Sequence, residues 1–462
     1  MIASLVKYHK ITGLFVLLSV FVYYYIGYPL ERTNTTLLLS LYSIVFACFL
    51  GLLRIEKLSF LGLAGIAVFF RLIFIGSIPN LSQDFYRFIW DGRMLLEGWN
   101  PYLYLPKDLI ASDSAPIAQA HELFNGMGEL SASHYTNYPP INQLCFAIAG
   151  IFAGKSILGS VIVLRVIIIL ADIGTLYVGT KLLQRLNLPV KSIGSYMLNP
   201  FIIIELTGNL HFEGVMIFFL VWSLYWLHKG WWKLAAILLA FSVSVKLIPL
   251  LFLPLFFQWF TKYKVSAFYK KNFKFIIKGV FNLSIFYLIV IGTIFLLFLP
   301  FISFQFIENY QQTVGLWFQN FEFNASFYYI ARWIGYQVVG WNTIATIGKI
   351  TPIIVLLLVL TLSFFRDNTN FQKTITAMLL GLSFYFFATT TMHPWYLATL
   401  LFLSVYTKYR FTVVWSFTIM LSYTAYSKDS YQENLIFVAL EYILMYGYLI
   451  YEVLFKTTAK ET

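Results

Sequence analysis

The chain has 462 residues, of which 60% are hydrophobic, 20% aromatic and only 11% charged, against about a quarter charged in soluble domains. That composition excludes an ordinary soluble globular protein and requires a membrane. The net charge of +12 does not indicate a nucleic-acid partner, because the lysines fall in short loops between apolar runs, where they serve orientation.

The first apolar run, residues 11–30, follows a short basic start without a small-residue cleavage site and reads as an anchor, not a cleaved signal. Runs of roughly fifteen to thirty residues recur as far as 435–455, the signature of helical spans and not of a transmembrane barrel. The expected fold is therefore all-α: one polytopic transmembrane helical bundle over residues 1–462, with about 12 to 14 spans. Irregular stretches are 157–184, one long span; 192–207 and 247–260, both short; and 141–154, re-entrant or a further helix. Cys48 and Cys145 lie far apart in apolar surroundings, so no disulfide framework is expected.

Basic loops at 7–10, 54–57, 181–191, 229–233, 262–278, 366–373, 408–410 and 456–460 hold most of the 32 lysines and arginines. The positive-inside rule assigns them to the cytoplasm. The 261–279 loop is the strongest case, with six lysines and no acid, suited to anionic headgroups. Parity then places residues 79–139 outside, together with the surroundings of His211, 309–325, His393 and Lys428.

Residues 79–139 form the longest non-spanning stretch and carry Asp84, Asp91, Glu97, Asp108, Asp113, Glu122 and Glu129 of the chain's 20 acids. Long loops of this kind usually form sites or lids. A helix over 81–97 puts Asp84, Arg87 and Asp91 on one face and Phe85, Phe88, Ile89, Gly92, Leu95 and Leu96 on the other, an amphipathic helix along the membrane surface. Ser82 is its candidate cap, and Gly98 with Asn100-Pro101 its stop. The pattern alone permits two readings: Arg87 neutralising two acids on a solvated face, or one carboxylate held at the bilayer surface as a base.

The stretch DFYRFIWDGRMLLEGWNPY resembles the external-loop signature of polyprenyl-phosphate-sugar-dependent, mannosyltransferase-like proteins of the GT-C superfamily. YPPINQ at 138–143, LNPFIIIELTGNLHFEG at 198–214, VSVKLIPLLFLP at 243–254 and MHPWYL at 392–397 are similar to later landmarks of those proteins in the same order. The resemblance spans roughly residues 80–400. Phe88 stands where the signature often has Tyr, and Glu213 where it has Asp; three spans precede the loop instead of one.

The resemblance implies a membrane glycosyltransferase of GT-C type that moves a hexose, mannose foremost, from a polyprenyl-phosphate donor to a glycan or glycolipid acceptor. It places the work on the external face of a bacterial inner membrane. An inverting displacement needs one essential carboxylate, unlike the paired acids of glycoside hydrolases, and the resemblance puts it at Asp84. Donor and substrate contacts are expected from Asp91, Arg87 and Arg93 in the loop, Tyr138, His211 and Glu213, and His393 and Trp395. Lys246 interrupts an apolar run, where an ionisable group costs about 2.5–3.5 kcal/mol by insertion scales; donor phosphate or snorkelling accounts for it. Arg165 and Asp172, at i and i+7 in one span, are expected to neutralise each other directly or through a neighbour.

No zinc cluster or nucleotide fingerprint is present, so no cofactor is required by the sequence. Mg²⁺ or Mn²⁺ on the loop carboxylates stays open. Partners are then the lipid-linked donor, the acceptor and membrane lipids. Many spans and intramembrane charges also suit a lipid or solute transporter, although the halves show no self-similarity and such a protein has little use for an acidic external loop.

Overall fold

Within a bilayer every backbone N–H and C=O must be paired inside the segment, so apolar runs become helices. The computed structural model describes residues 2–262, 273–426 and 431–455. Those residues are helical almost throughout, and the only β-pairings among them are two isolated bridges. The fold is an all-α polytopic bundle. The centre of the 261–279 loop, Lys428 and the basic 456–460 end lie outside the described residues.

Six helices are long and apolar enough to cross a membrane: Lys10–Gly27, Thr35–Arg54, Ile157–Arg185, Lys274–Phe301, Ile344–Phe364 and Leu435–Leu454. A bent pair, Pro200–Gly208 with Glu213–Lys229, broken by 112°, makes a seventh candidate if its two helices form one span. Six further apolar helices have only 10–17 residues, reaching about 15–25 Å at 1.5 Å per residue, short of a hydrocarbon core of about 30 Å. Among the described residues, six or seven of the expected 12 to 14 spans are thus full-length candidates, and the remaining apolar runs are shorter segments. Hydropathy counts the runs alike because it does not see where a helix stops. Residues 157–184 do form one helix, of 29 residues.

Two sets of contacts define the polar ends of the bundle. At one end Lys191 donates to the Glu56 carbonyl, Arg185 to His228, and Gln258 to the carbonyls of Ser363 and Arg366. At the other end Asn309 donates to the Tyr102 carbonyl, Tyr310 to Asn137 and Thr313 to Tyr135. The Phe304–Gln319 helix therefore clamps the 79–139 loop from the C-terminal half of the chain.

Buried charge knits the interior. Asp172 is bonded to Arg71 at 2.6 Å, both fully buried. Arg165 instead donates to the carbonyls of Ile75, Ser77, Thr207 and Gly208. The two residues are not partners: Arg71 supplies the cation for Asp172, while Arg165 serves as a staple for exposed carbonyls. Cys48 and Cys145 are both buried and not disulfide-bonded.

Candidate active site

The helix of the 79–139 loop runs over Asp84–Leu96, three residues shorter at its start than the pattern suggests. Ser82 does not cap it through a distant turn; its hydroxyl accepts the Asp84 N–H at 3.4 Å and lies 3.3 Å from His211 Nε2. Gly98, at φ 77°, ends the helix: its N–H bonds the Leu95 carbonyl and that of Trp99 bonds Met94, the paired closure that a left-handed residue permits. The helix has no solvated face. Phe85, Arg87, Phe88, Ile89, Trp90, Asp91, Gly92, Arg93 and Met94 are all buried, packed against Pro140–Ala153 on one side and Ala120–Ala132 on the other. A Cβ on Gly92 would stand 2.3 Å from the Phe146 carbonyl oxygen, so glycine here sets the helix crossing.

Burial separates the loop charges into two kinds. Arg87 Nε holds Asp91 at 2.8 Å, and its Nη1 donates to the carbonyls of Ser131 and His134. Gln143 completes Asp91 at 3.1 Å. Arg93 donates to the carbonyls of Ala118 and Lys155 and to Gln119. These three residues therefore tie the 118–134 segment and the Pro140–Ala153 helix to the Asp84–Leu96 helix. Asp84 differs: its side chain is 33% exposed, at the positive end of the helix.

Opposite Asp84 is the break in the bent crossing. Asn199 caps Pro200 through a bond to the Phe201 N–H, a π-helical turn covers Ile203–Gly208, and Leu210 adopts φ 63°. Wide turns and a left-handed leucine cost of order 1–3 kcal/mol and tend to cluster at working sites. The break brings Glu205, Asn209, His211 and Glu213 together, all buried. His211 Nε2 is 3.9 Å from Asp84, and Nδ1 is 3.3 Å from Glu205. Glu205 also accepts bonds from Tyr423 at 2.7 Å and Asn209 at 3.3 Å.

Aromatic rings continue the wall. His211 stacks on Trp395 at 3.8 Å and Trp395 on His393 at 4.6 Å. Burial first, then the charges of His211, Lys246 and Arg32, holds the His393 imidazole down at about 3, so it is neutral at physiological pH. Lys246 is ion-paired to Glu213, with its side chain 19% exposed, and lies over the Tyr396 ring at 5.6 Å. Tyr396 also stands in the fields of Glu213 and Asp84. The carbonyls of Ser244 and Val245 accept bonds from Ile141 and Asn142, which joins the Lys246 segment to the external loop. Tyr138 packs edge-on to Phe88 at 5.1 Å and feels Asp84. Asp84, Tyr138, His211, Glu213, Lys246, His393 and Trp395 thus gather around one aromatic wall, while Arg87, Asp91 and Arg93 lie beneath it.

Arg32 escapes a reading of the sequence. It follows the first crossing, and its guanidinium rests 3.2 Å from the Tyr426 ring centroid, close enough to act on His393 and Tyr423. Nothing in its local pattern marks it. Glu205, an acid inside an apolar run, does carry a signal, since such groups are costly and functional by default. Among the described residues no three His, Cys, Asp or Glu side chains are grouped to hold a metal.

The helical bundle, with its acidic 79–139 loop packed against a charged helix break, has the architecture of a polytopic integral membrane protein. Residues 34–262 match the family model described as alpha-(1->6)-mannopyranosyltransferase, N-terminal domain, so over that span the chain is similar to this mannosyltransferase family. Asp84, His211, Glu213 and Lys246 fall inside the match; His393 and Trp395 fall beyond it. No curated protein and no solved structure matches the chain significantly.

Proposed function

We propose that the protein transfers mannose from a polyprenyl-phosphate donor to a glycan or glycolipid acceptor at the external face of a bacterial inner membrane, with Asp84 as general base. The observation that carries this reading is the position of Asp84: a partly exposed carboxylate at a helix start, 3.9 Å from a buried histidine on a helix break. In this reading the acceptor oxygen attacks the anomeric carbon as the bond to the phosphate oxygen breaks. The acceptor proton passes to Asp84, and prenyl phosphate leaves.

His211 positions the base: its Nδ1 lies 3.3 Å from Glu205, while Nε2 faces Asp84 and Ser82. Lys246, partly exposed beside Glu213, supplies charge for the departing phosphate, and Arg32 a second cation on the same wall. Trp395 and Tyr396 offer ring faces to sugar or prenyl carbons. Arg87, Asp91 and Arg93 act through the loop fold that holds Asp84.

The test is transfer of label from polyprenyl-phosphate-mannose to a membrane glycolipid pool by purified protein, with and without chelator. Wild type should transfer under both conditions, and Asp84→Asn should fall by about 10²–10⁴-fold, the usual worth of a positioned base, while folding normally. Full activity in Asp84→Asn would remove it from the chemistry. Silence of wild type with mannosyl, glucosyl and arabinosyl donors alike would shift the reading to lipid transport.

A further inference from the structure

Beyond the matched span, the C-terminal half builds a second polar and aromatic surface against the same wall. Residues 321–324 are stitched to 390–392: the Phe323 N–H donates to the Thr390 carbonyl at 3.1 Å, and the Met392 N–H to Phe323 at 2.8 Å. Ring contacts run on from the site, with His393 to Phe321 at 5.9 Å, His393 to Phe323 at 5.2 Å and Phe323 to Tyr431 at 6.1 Å. Tyr431 is 51% exposed. Beside it Glu433 accepts the Asn324 N–H at 2.6 Å and the Tyr329 hydroxyl. Glu322 pairs with Arg332 and also accepts from Tyr328, yet the two charged side chains stay 28% and 21% exposed. Asn324 is fully buried, and its amide oxygen has no partner among the described residues.

We infer that this surface, carried by Glu322, Arg332, Tyr431 and Glu433, binds an uncharged oligosaccharide and is the acceptor-glycan subsite of the enzyme. This rests on the transferase reading above. Two carboxylates against one guanidinium repel a phosphate, whereas they accept hydroxyl protons from a sugar, and an open ring face packs on its C–H surface. Of the cations suited to a lipid phosphate, Lys246 pairs with Glu213 and Arg32 lies over the Tyr426 ring. Tyr426 in turn meets Tyr431 at 5.5 Å, and the ring contacts from His393 through Phe323 to Tyr431 join the two parts. A glycan lying along them would present its end to Asp84.

The experiment measures equilibrium binding of α-linked mannotetraose to the purified full chain in detergent by saturation-transfer NMR, alongside label transfer from the lipid donor to the same glycan. Glu322→Gln and Tyr431→Ala should each weaken binding by about tenfold, the scale of one lost hydrogen bond or stacking contact. Tyr431→Phe, which keeps the ring, should bind as wild type does. No binding by wild type, or wild-type affinity in both variants, overturns the assignment. If transfer proceeds while the variants bind normally, the transferase reading stands and this subsite falls. If the variants lose binding but wild type transfers nothing, the glycan subsite stands and the transferase reading falls.

Discussion

Asp84 and Asp91 share a helix, yet they meet different surroundings, and their substitution should fail in different ways. Asp91 is fully buried against Arg87, so Asp91→Asn leaves a guanidinium without its counter-charge, a loss of about 3–5 kcal/mol. Its thermal midpoint should drop together with its activity, whereas Asp84→Asn should melt like wild type and lose activity alone. A shared phenotype would mean that both acids are structural. His134 adds a pH dependence to the same loop. Burial, then the nearby Arg87 charge, lowers its imidazole from 6.5 to about 4. The unfolded chain binds the proton first, so this contribution is complete above about pH 6.5 and is lost as pH falls toward 4, amounting to about 3 kcal/mol at most. Melts at pH 7.5 and 5 should therefore diverge for wild type and converge for His134→Gln.

At the scale of elements, the crossing of Asp84–Leu96 over Pro140–Ala153 depends on Gly92. Gly92→Ala places a methyl 2.3 Å from a backbone oxygen; the helices must separate, at about 1–3 kcal/mol for such overpacking. Because that helix carries Asp84, transfer should fall further than stability does, since small displacements of a reacting group are costly. Melting and kcat measured together test this, and a variant that loses stability but keeps kcat would contradict it. The helix itself was legible in the sequence: charges spaced i, i+3 and i+7, then a glycine stop. Its covering was not. An amphipathic pattern has a polar face, and only tertiary contact shows whether water or the carbonyls of Ser131, His134 and Lys155 satisfy it. The same limit applies to Arg165, whose i+7 spacing suggested Asp172 while the break at Thr207 and Gly208 supplied the acceptors it uses.

For the whole molecule, contacts link described basic loops pairwise, Lys191 to Glu56, Arg185 to His228 and Gln258 to Arg366, and the proposed orientation puts them on the face opposite Asp84. Lys107→Cys and Lys233→Cys test the proposed orientation, with native Cys48 and Cys145 both buried. A membrane-impermeant maleimide added to intact spheroplasts should label position 107 and spare 233 until lysis; the reverse would turn the protein over.

Composition and the spacing of apolar runs were enough to establish a helical membrane protein, because bilayer thickness and backbone pairing leave little choice. Ordered short motifs brought Asp84 and His211 to attention, and costly charge in an apolar run did so for Lys246. Tertiary structure alone decided which of these meet. The 112° break turns Glu205 and His211 toward Asp84, and the 321–324 and 390–392 segments carry the C-terminal half to the same wall. It also revealed Arg32, which no local pattern marks. Such contacts join residues far apart in the chain, and no sequence periodicity encodes a meeting made by helix packing.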